Sequence, residues 1–389
     1  MKDNTLKLLH TADLHLGSPF INLPAKIGDT IRKEQKDILF NLIKLCRDEA
    51  VDILLLAGDV FDRPHPDKEI VQLFISCMNE IPETDIFITP GNHDPYLIDS
   101  AWDSENWPAH VHVFSPEFQS FVSEKNRVQI DGSAFASYLA REPLFSGIDR
   151  QVPADYFRLL MWHGDLTDQK SDYNPLSRNQ SFLLDYDYVA MGHIHKENEV
   201  PLSVYSSVVI RYSGCPQGRG FDELGESYFW LGELSKVKEG MLAQTWKKTP
   251  VGSRPFLWLN CDLTGCVDLD GVKSKVQDTV RNAASGSPDI HMYSRSLIRI
   301  VLQGRLPEDL ILDAAFIENY LLSIGCFYVQ VRLETRINHD LERLADQPGF
   351  TGLLVQNYQN RLAKAKDQQE KQELEQALEY VFLAGQGEL

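Results

Sequence analysis

Short apolar runs alternate with amphipathic stretches through the first half of the chain. Leu6–Leu9, Ile53–Ala57, Ile86–Thr89, Leu159–Trp162 and Tyr188–Met191 are apolar and of strand length. Between the first two, Ile31, Ile38, Leu42 and Leu45 fall near helical spacing and predict a helix over Thr30–Glu49. A second helix is predicted over Asp67–Asn79, capped by Asp67, with Ile70, Leu73, Phe74 and Cys77 on one side. Strand–helix–strand alternation predicts parallel pairing. From Val111 onward the pattern turns strand-rich, with Phe135, Val208–Tyr212 and Tyr228–Leu231. The expected architecture is α/β: a mixed, two-layered sheet flanked by helices.

Breakers gather at Thr249-Pro250-Val251-Gly252-Ser253, which sets a boundary between a domain over 1–250 and one over 251–340. Past it comes a βαβαβ pattern: strand Phe256–Cys261, helix Val272–Ala283, strand Leu297–Leu302, helix Glu308–Leu322 and strand Phe327–Leu333. These segments carry no metal-ligand constellation, so recognition or assembly suits them better than chemistry. The rest, 341–389, forms a tail. Within it Leu353–Leu383 lacks Pro and is rich in Gln, Glu, Lys, Ala and Leu. One apolar stripe is Leu354, Tyr358 and Leu362; another is Leu374, Leu378, Val381 and Phe382. A helix packed on its own domain, or a helix or helix pair offering an apolar face to a partner, would each explain them.

At 389 residues the chain has room for two domains, and 43% hydrophobic content supports a sizeable core. No stretch reaches the roughly 20 apolar residues of a membrane span, and the start lacks a secretory signal, so a cytoplasmic location is expected. The six cysteines have no Cys-x-x-Cys spacing and read as reduced and mostly buried. A formal net charge of −18 opposes unaided DNA binding, which depends on Lys and Arg neutralising phosphates. It leaves room for a nuclease whose groove a partner completes.

Each strand-like run of the first half is followed by a polar cluster. They are Asp13-Leu14-His15, Gly58-Asp59, Gly91-Asn92-His93-Asp94, His163-Gly164 and Gly192-His193-Ile194-His195. Strand carboxyl ends are where ligands collect in open α/β sheets. Two carboxylates, an amide oxygen and several imidazoles suit two adjacent divalent ions. In extended backbone Asp13 and His15 would point the same way, as would His193 and His195. Asp59 stands alone and is the natural bridge. Asp13 and His15 would serve one ion, Asn92 and His163 the other, with His193 and His195 split between them. Such a pair can activate water near neutral pH and take up charge on a phosphoryl group. His93 is left to stabilise the transition state or protonate the leaving oxygen, with Asp94 orienting it. His10, His65, His110, His112, His291 and His339 lack such company and read as core or surface residues.

In this order the clusters resemble the calcineurin-type metallophosphoesterase superfamily, whose pattern is Asp-x-His, Gly-Asp, Gly-Asn-His-Asp, His and Gly-His-x-His. The resemblance implies a four-layered double-sheet sandwich covered by helices. It implies that Asp13, His15, Asp59 and His195 hold one ion, and that Asp59, Asn92, His163 and His193 hold the other. His10-Thr11-Ala12-Asp13-Leu14-His15-Leu16-Gly17, Ala57-Gly58-Asp59-Val60-Phe61-Asp62 and Tyr212-Ser213-Gly214 leading to Gly220-Phe221-Asp222-Glu223 are similar to SbcD-type DNA-repair exonucleases, in their bacterial YhaO-like branch. That likeness implies manganese, a capping and DNA-recognition domain, and a helical tail gripping an SbcC-type coiled-coil ATPase. It also implies DNA ends as substrate and a dimer of nuclease subunits. Gly214-Cys215-Pro216 departs from a common Gly-Ser, and Asp62 stands where some relatives place histidine. Arg63, Arg211 and Arg219 flank the motifs as candidate phosphate contacts. The expected function is a metal-dependent DNA exonuclease and endonuclease; the alternative is a small-substrate phosphatase or cyclic-nucleotide phosphodiesterase of the same fold.

Overall fold

The computed structural model describes residues 4–147, 152–201, 208–236, 242–283 and 292–386. Contact density divides the chain into two units. The first comprises Met1–Trp258, His291–Arg299 and Cys326–Tyr328, and the second comprises Leu259–Ile290, Ile300–Gly325 and Val329–Leu389.

The first unit is built on two six-stranded sheets. One contains β1 (Asn4–Thr11), β2 (Ile53–Leu56), β3 (Asp85–Ile88), β4 (Val111–Val113), β11 (Tyr228–Lys236) and β12 (Leu242–Pro250), in the order β12-β11-β1-β2-β3-β4. The other contains β5 (Gln119–Ser123), β6 (Val128–Gly132), β7 (Phe157–His163), β8 (Tyr188–Gly192), β9 (Asn198–Pro201) and β10 (Val209–Tyr212), in the order β5-β6-β7-β8-β10-β9. The expected parallel pairing holds for β1 with β2, β2 with β3 and β3 with β4. Antiparallel pairing closes one edge of the first sheet, through β11 and β12, and both edges of the second, through β5 and β9.

Side-chain alternation places the layers. Leu6, Leu8, Ile53 and Leu55 meet Phe157, Leu159, Met161, Tyr188 and Ala190 in one core between the sheets. The alternate residues, Leu54 and Leu56, share a core with Ile38, Leu42, Val71 and Phe74 of α1 (Ala25–Asp48) and α2 (Lys68–Asn79) and with Trp102 of the short α3 (Ala101–Ser104). On the far face of the second sheet, Leu160, Trp162, Val189 and Met191 are covered by Leu176, Leu183 and Tyr186. That outer layer is loop and a 3-10 turn, Ser181–Asp185, rather than α-helix. Apolar strands buried on both faces are the reason the runs read as continuous in sequence.

Two helix starts differ from expectation. The first helix begins at Ala25, after Pro24, instead of Thr30. Asp67 does precede α2, yet its side chain makes no cap; it pairs with Arg63 at 2.7 Å.

The second unit holds most of a three-stranded sheet of β13 (Phe256–Asp262), β14 (Leu297–Leu306) and β15 (Tyr328–Ile337), with α4 (Leu269–Asn282) and α5 (Ala314–Ser323) between them in sequence. The helix expected from Glu308 begins at Ala314, because the Asp313 carboxylate accepts the Ala315 N–H at 2.9 Å and sets the start there. The tail forms α6 (Leu341–Ala345), α7 (Phe350–Leu362) and α8 (Gln368–Gln386). Its two apolar stripes largely face each other: Val355, Tyr358, Leu374 and Leu378 are buried, with Leu354, Leu362 and Phe382 packed around them. Phe350, Leu353, Tyr380 and Val381 remain exposed. All six cysteines are free, and all but Cys266 are buried. Among the described residues no helix is long and apolar enough to cross a membrane.

Candidate metal centre

Loops at the carboxyl ends of β1, β2, β3, β7 and β8 bring all five sequence clusters to one place. The two loops after β1 and β2 stay paired beyond their strands. Asp13 and His15 N–H groups donate to the Gly58 and Asp59 carbonyls, Leu16 N–H to Val60 and Asp62 N–H to Leu16. This zipper seats Asp59 and Asp62 beside His15. The backbone is not extended, as the spacing argument assumed. Asp13, His15, Asp59 and His193 have φ of 55°, 44°, 51° and 97°. Left-handed backbone costs about 1–2 kcal/mol per non-glycine residue, and it is what folds these side chains inward. His163 arrives by alternation instead, as the last inward residue of Phe157, Leu159, Met161 and His163 along β7.

Glycine permits the crowding. A Cβ at Gly91 would lie 2.2 Å from Asp59 Oδ1 and 2.8 Å from His163 Nε2; one at Gly192 would lie 1.9 Å from the Ala57 carbonyl.

The donor atoms fall into two groups sharing Asp59. In the first, His15 Nε2 is 3.2 Å from His195 Nε2 and 3.7 Å from Asp59 Oδ2, while His195 Nε2 is 4.0 Å from Asp13 Oδ1. In the second, Asn92 Oδ1 is 3.1 Å from His163 Nε2 and 3.0 Å from His193 Nδ1, and His163 Nε2 is 3.4 Å from Asp59 Oδ2. Asp13, His15, Asp59 and His163 are buried. The outer nitrogens of the imidazoles are engaged elsewhere. His15 Nδ1 faces Asp62 Oδ1 at 3.2 Å, His195 Nδ1 faces Glu223 Oε1 at 2.6 Å, and His163 Nδ1 faces the Ala57 carbonyl at 2.8 Å. With Nδ1 donating, the Nε2 atoms of His15 and His195 each turn a lone pair inward. Two such lone pairs 3.2 Å apart repel unless a cation or proton lies between them. The donor set therefore fits a divalent ion in each half.

Electrostatics differ among the four imidazoles. Burial pushes His15 down to about 4, and burial with the nearby His163 does the same to His193. Both imidazoles are thus neutral at neutral pH, as a metal ligand must be. Burial opposes charge on Asp59, yet His163 and His15 hold its carboxyl far below the usual range. For His163, burial lowers the pKa but the Asp59 carboxylate overrides it and lifts it to about 9.

His93 is half-buried, with its ring 4.7 Å from that of His15 and its N–H donated to Asp59 Oδ1 at 2.8 Å. Asp94 does not orient it. Its carboxylate oxygens accept the Gly91 and Phe61 N–H groups at 2.8 and 3.0 Å, and its carbonyl accepts Trp102 Nε1 at 2.7 Å. Full burial and those three bonds make Asp94 the brace of the turn carrying Asn92 and His93.

The three arginines part company. Arg219 reaches the cluster, within 3.3 Å of Asp62 Oδ1, His15 Nδ1 and His195 Nδ1. Arg63 stays on the surface with Asp67. Arg211 is 1% exposed, pairs with Glu199, and stacks 4.2 and 4.0 Å from the Trp230 and Trp246 rings, which takes it away from any phosphate. Sequence reasoning gave Glu223 and Asp62 no ligand-supporting role. Their signal is long range and needs the fold. The other histidines are structural: His10 bonds the Tyr188 hydroxyl at 2.8 Å, His110 bonds the Met78 carbonyl, and His112 stacks on Phe87. His65 is exposed and His291 lies outside the described residues.

Residues 6–197 match the family described as Calcineurin-like phosphoesterase. A protein of Bacillus subtilis (strain 168), described as the uncharacterized metallophosphoesterase YhaO, is 31% identical over 321 residues, covering 78% of this chain and 73% of that protein. The SbcD component of the SbcCD nuclease from the same organism is 26% identical over 319 residues, covering 68% of this chain and 78% of that protein. DNA double-strand break repair protein Mre11 of Methanopyrus kandleri is 25% identical over 211 residues, covering 49% of this chain and 44% of that protein. Metallophosphoesterases use a dinuclear metal site, and the two donor groups sharing Asp59 are candidate ligand clusters for one. The chain belongs to the calcineurin-like phosphoesterase family and has the fold of a phosphoester hydrolase.

Proposed function

We propose that the protein is a metal-dependent phosphodiesterase that hydrolyses DNA ends, working as the nuclease subunit of a double-strand-break repair complex. The observation that carries the chemistry is the pair of inward Nε2 lone pairs on His15 and His195, with Asp59 between them and His163. Asp13, His15 and His195 are assigned to one ion, Asn92, His163 and His193 to the other, and Asp59 to both. Two divalent ions held there, manganese by resemblance, would supply Lewis acidity and a water acidic enough to ionise near neutral pH.

The chain's own residues do the rest. The half-buried His93 imidazole holds a proton for the leaving oxygen, and its N–H bond to Asp59 fixes its turn against the shared carboxylate. Arg219, at the rim and 24% exposed, is placed to contact a phosphate. Buried walls around Asp13 and Asp59 exclude bulk water.

DNA as substrate rests on the named relatives and on residues 251–340 as a recognition domain, for which a small-substrate enzyme has little use. The tail is assigned to an SbcC-type coiled-coil ATPase; the exposed Phe350, Leu353, Tyr380 and Val381 supply an apolar surface for it.

The test is His93→Ala against wild type with Mn²⁺, on end-labelled duplex beside 2′,3′-cyclic AMP. The variant is expected to keep both ions by elemental analysis and to lose duplex cleavage by about 10²–10⁴-fold. Parental cleavage by the variant would remove the role given to His93. Turnover of the cyclic nucleotide alone would replace the nuclease by a small-substrate enzyme.

A further inference from the structure

We propose that Asp62, Glu223 and Arg219 act as positioning residues that make the two halves of the centre unequal, so that the Asp13–His15–His195 half takes its ion ahead of the Asn92–His163–His193 half. The inference rests on the ligand assignment above and extends it to residues outside the ligand set.

The two halves are supported differently. Behind the first, His15 Nδ1 faces the Asp62 carboxylate at 3.2 Å and His195 Nδ1 faces the Glu223 carboxylate at 2.6 Å. Arg219 straddles both, 3.3 Å from Asp62 Oδ1 and 3.7 Å from Glu223 Oε1, and its own N–H donates to Glu223 Oε2 at 2.7 Å. Asp62 is placed by the paired loops after β1 and β2. Glu223 is placed by the turn in which its N–H donates to Gly220. The two carboxylates and the guanidinium form one frame with a net negative charge. Within it the Asp62 and Glu223 carboxylates, closer to the two Nδ1 atoms than the Arg219 guanidinium at 3.3 Å, favour the Nδ1–H tautomer of both imidazoles and aim both Nε2 atoms at one point. The buried Asp13 carboxylate completes this half.

Behind the second half, His163 has a neutral backbone carbonyl and Asn92 brings an uncharged amide. His193 presents Nδ1 inward, and its Nε2 lies 3.5 Å from Asp165, whose side chain is 27% exposed. This half has weaker anionic support and less constraint on its ligands.

Calorimetric titration of the metal-stripped full chain with Mn²⁺ tests this. Wild type is expected to bind in two separable phases. Asp62→Asn and Glu223→Gln should each weaken the tighter phase by about 10- to 100-fold and leave the looser one. Asp165→Asn should do the reverse, and Glu223→Asp, which keeps the charge, should recover most of the tighter phase. With one equivalent of Zn²⁺, ¹⁵N-histidine spectra should show Nδ1–H at His15 and His195, lost at His15 in Asp62→Asn and at His195 in Glu223→Gln. If Glu223→Gln fails to fold, Asp62→Asn decides, its site being at the rim. Indistinguishable phases in the wild type, or a tighter phase untouched by Asp62→Asn, would overturn the proposal and leave the ligand assignment standing. A wild type that binds no ion would overturn both.

Discussion

Gly91 has room for nothing beyond hydrogen on its α-carbon, because Asp59 and His163 press against it from two sides. Gly91→Ala is expected to cost about 1–3 kcal/mol through overpacking and to displace the shared carboxylate. The protein should remain folded yet retain less than half its metal, as read by elemental analysis beside a denaturant curve. In sequence, glycines stand beside the clusters at Gly58, Gly91, Gly164 and Gly192, where close approach of chain and side chains calls for them. Reading Asp94 as a partner of His93 failed because a carboxylate next to an imidazole in sequence can be drawn to backbone N–H groups instead. His163 gives a second expectation. In the metal-free protein its pKa stands at about 9, above the ordinary 6.5. The associated stability is present in full below 6.5 and is lost as pH rises toward 9. An ion at this half must displace that proton, so Mn²⁺ affinity there should rise about tenfold per pH unit up to roughly pH 9. Titration in buffers of differing ionisation enthalpy would register the released proton.

At the scale of elements, the strands were legible where the signal was local. Ile53–Leu56 and Phe157–His163 are apolar on both faces because both faces are covered. Leu242–Pro250 was not legible, since Gln244, Lys247 and Lys248 break the apolar run, and its strand state comes from pairing with β11. The tail read as one helical stretch, with a helix pair as an option. Asp367 makes the difference by accepting the Glu370 N–H at 2.8 Å and starting a new helix. Because α7 and α8 cover each other's apolar stripes, they should be removable together. Truncation after Asp346, which cuts ahead of α7 and not within it, should spare hydrolysis of simple esters and abolish co-purification of the ATPase. Retained partner would assign the contact elsewhere.

For the whole molecule, five short clusters spaced across about half the chain were enough to read the fold family, because each candidate ligand sits next to the strand that positions it. Asp62, Arg219 and Glu223 were harder to read, since they meet the centre only after the loops of both sheets are assembled. Charge sets a further expectation. With a net −18, the isolated chain should bind duplex no more tightly than the non-specific range of about 10⁻⁴–10⁻⁶ M at physiological salt. Fluorescence anisotropy would measure this, and nanomolar binding by the chain alone would remove the need for a groove supplied by a partner.

The left-handed backbone at Asp13, His15, Asp59 and His193 also limits how such a centre can be re-engineered or drift. Asn, Asp and His enter that conformation more readily than other residues with side chains. Exchanging donors at these four places to favour another ion is thus confined to a narrow alphabet. A cysteine or glutamate introduced there would face a main-chain penalty before its coordination chemistry came into play.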